Sequence, residues 1–433
     1  MLKSSSLQPN SLVMAASPQP PELAHWEGWP SEDQQCDEQG CWPRLFILGT
    51  QKGATTSLFQ VLQREGVACG TKINEAVSQA LPNLKGAFNH ETGIAKEPHI
   101  FDIARTDWPT LMEQPGLYRS LYRVHDCPQR TFLDATPNYI HHPGAPGRLV
   151  ELLPASWVPQ LRMVLVMREP VARDLSWFNH RSASVGQDRS NMKYAFCSLS
   201  EADILDVNVY PTYEGEVQCR KQELDDCLKG ARQRLNKGEG VSQKGHGQMA
   251  LSSRVASPEG NGVLEEDYRE CVEAAWHNGD GDNSPSWDEE DDTSALVPPL
   301  FTWGMYLPQI YAWSRRVLRN QILVLDFERL VARPDDVLPR VTSFMGLPTL
   351  RSNVLPHENE QPYARKVDVI SCETSRILYG AFREANDQLV RAMREDHERG
   401  HAPSQEPLFE GFNTTVPCEE QEHVWLEEQE QEA

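Results

Sequence analysis

The 433-residue chain is short of positive charge: 41 Lys and Arg stand against 63 Asp and Glu, a formal net charge of -22. That deficit excludes non-specific nucleic-acid binding, which needs a basic face. Single basic clusters stay free to hold an anion, because a whole-chain sum says little about one pocket. Apolar runs are also short. None reaches the 18 residues of a membrane span, and none in the first thirty residues has signal-peptide character. The ten cysteines include no CxxC pair; the closest spacings are Cys36 with Cys41 and Cys219 with Cys227. A zinc site is therefore a poor reading, and no metal is expected. The even count permits disulfides without demanding them, which leaves the redox compartment open. No internal repeat occurs. With 39% hydrophobic residues and a mean hydropathy of -0.55, the chain reads as soluble, with large polar insertions around a sizeable core.

What is present divides into four regions. Residues 1–42, rich in Pro, Ser and Gln, read as a disordered leader. Apolar runs separated by turn signals fill 43 to about 190. Residues 198–295 mix Gly, Asp, Glu and Ser and read as a flexible acidic insertion, most plainly at 238–248 and 278–292. Apolar periodicity returns from 296 to about 397, and 398–433 form an acidic tail. One ordered domain over 43–397, interrupted by the insertion, is the simplest organisation.

Three strand–turn–helix units mark that domain. Arg44 to Gly49 is a short apolar run ending in glycine, as a buried parallel strand would be, and Thr55 to Arg64 sets Leu58, Phe59, Val61 and Leu62 at helical spacing. Leu161 to Met167 is the second strand; a helix follows from Val171 towards Ser184, with Pro170 in its first turn, where a missing N–H is tolerated. Gln321 to Phe327 is the third strand, with a helix around Val337 to Met345. Alternating strands and helices predict an α/β fold, a doubly wound parallel sheet with ligands beyond the carboxyl ends of the strands.

The first loop, Gly49 to Ser57, suits an anion. Helix-start amides carry the positive end of the dipole, Lys52 adds a charge, Thr55, Thr56 and Ser57 add hydroxyls, and Gly53 allows close approach of the backbone. The lysine precedes the glycine here, so the loop does not match the nucleotide-triphosphatase pattern.

That residue order resembles the 5'-phosphosulfate loop of sulfotransferases that use 3'-phosphoadenylyl sulfate (PAPS). The stretch from Val166 to His180 is similar to that family's second motif, in which an Arg ending a strand and a Ser eight residues later hold the 3'-phosphate; here these are Arg168 and Ser176. Ala95 to Asp102 and Phe132 to Tyr139 resemble segments of the Golgi glycosaminoglycan sulfotransferases, the heparan sulfate group above all. Gly304 to Leu307, Trp313 and Ile322 to Leu330 are similar to a stretch shared across carbohydrate sulfotransferases.

The resemblance implies a P-loop-like sulfotransferase core, PAPS as co-substrate bound through Lys52, Gly53, Ala54, Thr55, Thr56, Ser57, Arg168 and Ser176, and a carbohydrate acceptor. It makes Glu97 the base, Lys52 the partner of the leaving phosphate oxygen and His99 an orienting group. It also implies the Golgi lumen, although no anchor is visible. Ala54 and Thr56 stand where the heparan 3-O group carries Gly and Arg, and Tyr363 to Asp368 is the nearest counterpart of its nucleotide-closing segment. Two other readings compete: a small phenol or alcohol as acceptor, and a non-catalytic nucleotide-binding scaffold. Trp303, Tyr306 and Trp313 read as core, His141 and His142 as a pair near a turn, Asp288 to Asp292 as solvated charge, and Asn413 as one isolated glycosylation sequon.

Overall fold

The computed structural model describes residues 36–72, 75–81, 94–102, 107–123, 127, 131–142, 144–185, 196–200, 203, 209–236, 303–356, 367, 369–403 and 407–412. Residues 1–35 of the expected leader, the linker-like pieces at 238–248 and 278–292, and Asn413 lie outside them.

Four strands make the central sheet: β1 (Leu45–Gly49), β2 (Leu133–Asp134), β3 (Arg162–Met167) and β4 (Ile322–Asp326), in the order β2-β1-β3-β4. All three pairings are parallel. Parallel strands are covered on both faces, so they read as unbroken apolar runs rather than alternating ones; every residue of β1 and β3 is buried. On one face Phe46, Leu48, Met163 and Leu165 pack against α2 (Ala145–Leu152), α5 (Tyr306–Ser314) and α8 (Cys372–Glu398). On the other, Leu45, Ile47, Val164 and Val166 meet α1 (Thr55–Arg64), α6 (Phe327–Ala332) and α7 (Pro334–Met345). Helices on both faces make the sheet doubly wound, as the sequence predicts. The helix after β3, α3 (Pro170–Val185), begins at its proline.

Local chemistry sets the helix ends. The Asp326 carboxylate accepts the amide of Arg329 at the start of α6. Ser371 does the same for Thr374 at α8, and Gly346 ends α7 in the left-handed region at φ 65°. The expected strands each lose a residue at one or both ends, the usual uncertainty of a boundary. β2 has no sequence signal of its own: two residues are too few to show a period.

The expected boundaries change in two places. Within the supposed flexible insertion, Tyr213–Asn236 form helix α4, whose Tyr213 and Val217 join Val171 and Phe178 of α3 and Leu378 and Phe382 of α8 in a third core cluster. The low mean hydropathy of α4 hides these buried positions. Within the supposed acidic tail, Leu408 and Phe409 are buried, and the Leu408 carbonyl accepts the amide of Asp326. The cysteines pair as Cys36–Cys41, Cys69–Cys127 and Cys197–Cys219, so Cys219 passes over its near neighbour Cys227. Cys372 is disulfide-bonded as well. Among the described residues no helix is long and apolar enough to cross a membrane.

The chain runs from β1 out to β2, then returns across β1 to β3 and β4. The order reverses between β1 and β3, so the loops that leave these two strands open a crevice at their carboxyl ends.

Candidate active site

The crevice is built on the loop between β1 and α1. Gly49, at φ 149°, ends β1 where a Cβ would lie 2.6 Å from the Pro137 carbonyl oxygen and from Ile140. Thr50 then docks on β3, its amide and hydroxyl both donating to the Val166 carbonyl at 2.8 and 3.1 Å. Lys52 (φ 67°) and Ala54 (φ 58°) follow in the left-handed region. Ala54 is the N-cap of α1 and supplies no side-chain hydrogen bond, and the dipole of this helix start favours an anion.

Gly53 also meets a packing requirement of the loop itself. A Cβ there would lie 2.9 Å from the Thr50 and Val166 carbonyl oxygens. The glycine therefore lets the loop press against its own strand ends. Thr55 and Ser57 are buried and Thr56 is half-buried, so these hydroxyls are not equally available to a ligand.

Three positive residues converge on this loop. Arg168, the first residue after β3, donates from Nη1 to the Lys52 carbonyl at 3.2 Å and lies 4.6 Å over the Phe327 ring. Its Nε is buried without a hydrogen-bond partner. Tyr306 donates to the Arg168 carbonyl at 2.7 Å. Lys96 reaches in from the segment before β2, donating from Nζ to Thr55 Oγ1 at 3.1 Å and to Glu97 Oε1 at 2.5 Å. Burial and the charges of Arg168 and Lys96 lower the pKa of Lys52. Mutual repulsion among cations held this closely favours an anion in their midst.

Beside them lies an acid–imidazole–acid row. Glu97 Oε2 stands 3.4 Å from His99 Nε2, and His99 Nδ1 stands 2.7 Å from Asp102 Oδ2. Burial would raise the Glu97 carboxyl, but the Lys96 ammonium and the His99 ring outweigh it and hold the pKa at about 2. Burial would lower His99, yet Asp102 and Glu97 raise it to about 10. The row therefore rests as carboxylate, imidazolium, carboxylate. His99 sits at φ 51°, a left-handed conformation rare for a side-chain-bearing residue.

The structure thus brings Lys52, Glu97, His99, Thr55 and Arg168 together. Ser176 lies half-buried on α3, and among the described residues no side-chain hydrogen bond joins it to that group. His180, four residues further along the same helix face, is missing from the sequence-based set. Burial, then Lys52 and Arg181, push its pKa to about 4, while Glu97 acts in the opposite direction, which places it within electrostatic reach of the site. The i, i+4 spacing from Ser176 was the signal that could have found it.

Of the expected nucleotide-closing segment only Val367 is described. It exchanges two hydrogen bonds with the Asn179 side chain of α3, at 2.9 and 2.8 Å. Trp303, Tyr306 and Trp313 are all buried, as read. His141 is buried too, stacked on Trp303 at 4.2 Å.

No family model matches the chain. No curated protein matches it significantly either. Among solved structures, the chain is similar to the "Crystal Structure of Sulfotransferase from Alicyclobacillus acidocaldarius" at 15% identity and a TM-score of 0.36, over 82% of this chain and 96% of that one. A likeness that distant carries no argument about activity.

Proposed function

We propose that this chain is a PAPS-dependent sulfotransferase that transfers a sulfuryl group to a hydroxyl or amine of a carbohydrate acceptor, similar to the Golgi glycosaminoglycan enzymes. One observation carries the reading. An α1 start whose N-cap, Ala54, adds no side-chain bond, with Lys52, Lys96 and Arg168 close to its loop, lies beside a carboxylate paired with an imidazole. This combination supplies what sulfuryl transfer needs. Like phosphoryl transfer, the reaction proceeds by in-line attack through a loose transition state, so positioning, cations and a base matter more than covalent intermediates.

In this reading the 5'-phosphosulfate lies against the α1 amides and Lys52, and Arg168 with Ser176 holds the 3'-phosphate. The acceptor oxygen or nitrogen forms the new bond to sulfur while the bond from sulfur to the phosphate oxygen breaks. Glu97 takes the acceptor proton, Lys52 steadies the charge growing on the leaving phosphate oxygen, and His99 orients the sulfuryl group. At rest the Glu97 carboxylate is a weak base, held at about 2 by Lys96 and His99. An arriving phosphate competes for Lys96, and loosening the contact between Lys96 and Glu97 raises the basicity of Glu97 towards the working range. Donor binding would thereby activate the base. The disulfides support an oxidising compartment such as the Golgi lumen.

The test is calorimetry with PAP, the desulfated donor product, followed by labelled-sulfate transfer to heparan, chondroitin and algal-type polysaccharides. Wild type is expected to bind PAP, and Lys52→Ala to lose most of that binding. Transfer to small phenols alone would move the reading to the small-molecule class, and absence of PAP binding would refute it.

A further inference from the structure

Asp134 lies outside the set of residues that face the crevice, yet two hydroxyls bonded to its carboxylate accept the backbone amides of His99 and Ile100. It is the last residue of β2 and is fully buried. Oδ1 accepts the Thr136 hydroxyl at 2.8 Å and the Thr136 amide at 3.2 Å. Oδ2 accepts the Tyr139 hydroxyl at 2.9 Å and, at longer range, those of Tyr122 and Tyr118 at 3.3 and 3.4 Å.

A hydroxyl has one proton to donate. Because Thr136 and Tyr139 spend theirs on Asp134, their oxygens are left to accept, and both do. The His99 amide donates to Thr136 Oγ1 at 3.3 Å, and the Ile100 amide donates to the Tyr139 hydroxyl at 3.0 Å. A third bond, from the Ala135 amide to the Lys96 carbonyl at 3.1 Å, completes the seam.

We propose that Asp134 is a positioning residue for the transfer reaction: its carboxylate sets the direction of the Thr136 and Tyr139 hydroxyls, which hold the main chain at His99 and Ile100 and so aim the row of Glu97, His99 and Asp102. The kinetic part of this proposal rests on the sulfotransferase reading; the structural part does not.

Two observations favour it over a purely structural role. His99 occupies the left-handed region at φ 51°, a strained conformation for a side-chain-bearing residue, which needs anchors to hold it. Two of the anchors on its backbone side, at the His99 and Ile100 amides, are ones that Asp134 directs. Second, a buried carboxylate is costly, and burial raises its pKa to about 7, even with Thr136 and Tyr139 lowering it. In its ionised form the group only accepts, and both hydroxyls then donate inward. Asparagine, of the same shape, presents an NH2 that turns one of them around.

The experiment compares Asp134→Asn, Thr136→Val, Thr136→Ser, Tyr139→Phe and Tyr118→Phe in the full chain. Four quantities are read: kcat, KM for PAPS, thermal midpoint, and the titration of His99 by NMR. Displacing a reacting group by about 1 Å costs on the order of 10²-fold. Asp134→Asn, Thr136→Val and Tyr139→Phe are therefore expected to lower kcat by about ten- to a hundred-fold with KM for PAPS little changed. Thr136→Ser, which keeps the hydroxyl, restores the rate lost in Thr136→Val. Tyr118→Phe removes a contact to Asp134 without touching the seam, and its kcat stays at the wild-type value.

The His99 pKa, about 10 in the intact row, moves towards 6.5 in the damaging variants. The proposal fails if Tyr118→Phe is as harmful as Tyr139→Phe, or if kcat follows the thermal midpoint alone across the set. Should Asp134→Asn not fold, Thr136→Val and Tyr139→Phe decide the matter. Should the wild type transfer no sulfate, the His99 titration decides: a shift in Thr136→Val but not in Tyr118→Phe upholds the positioning role while the activity reading falls, and an unmoved His99 overturns it.

Discussion

Replacing Glu97 by glutamine separates its proposed part in proton transfer from its part in the resting charge arrangement. The substitution keeps the shape and removes the charge and the capacity to take a proton. A positioned general base contributes about 10²–10⁴-fold, so the barrier should rise by roughly 3–5.5 kcal/mol at about 1.4 kcal/mol per factor of ten. Donor binding should behave differently. Lys96 now divides its ammonium between Thr55 at 3.1 Å and Glu97 at 2.5 Å. Without the carboxylate it is freer to meet a phosphate, so KM for PAPS should stay level or fall. His99 loses one carboxylate and keeps Asp102 at 2.7 Å, so its pKa should drop from about 10 yet stay above 6.5. The assay is labelled-sulfate transfer at saturating PAPS beside PAP calorimetry on the same protein. A loss of turnover smaller than tenfold, or a parallel loss of PAP affinity, would refute the assignment of Glu97 as the base.

Further expectations concern stability and the loop. The folded-state pKa of Asp134 is raised to about 7 from 3.8, so the unfolded chain releases that proton first. The stability that Asp134 contributes should therefore be lost as pH rises from about 4 to 7, and Asp134→Asn should remove that part of the slope in urea unfolding followed across pH. The disulfide Cys69–Cys127 spans a sequence separation of 58. Closing a loop of that size is worth about 4 kcal/mol on the chain-entropy account, so Cys69→Ser with Cys127→Ser should lower the unfolding free energy by about that much; an unchanged urea midpoint would contradict this. Gly53→Ala forces a methyl group to within 2.9 Å of two carbonyl oxygens. Overpacking of this kind typically costs about 1–3 kcal/mol, and PAP affinity should fall with the displaced loop while a Gly380→Ala control on α8, whose Cβ meets nothing within 4 Å, leaves PAP binding alone.

Much of the scaffold could be read along the chain because its signals are local. Leu45–Gly49, Arg162–Met167 and Ile322–Asp326 are buried on both faces and so appear as apolar runs, and a proline marks the start of α3. Lys52, Glu97, His99 and Arg168 were visible as parts of motifs, and the fold draws them into one crevice. By contrast, window averages concealed Tyr213 and Val217 in a charged stretch and Leu408 and Phe409 in an acidic one, because a few buried side chains hardly move a composition.

The sequence by itself determined the strand–loop–helix units and the residue types at their ends, since backbone preference and apolar periodicity act over a few residues. Tertiary structure alone decided which cysteines pair, that His180 comes within reach of Lys52, and that Asp134 reaches the His99 backbone through two hydroxyls. These depend on segments brought side by side by sheet order, and a hydrogen bond forms according to distance in space, for which position along the chain provides no measure.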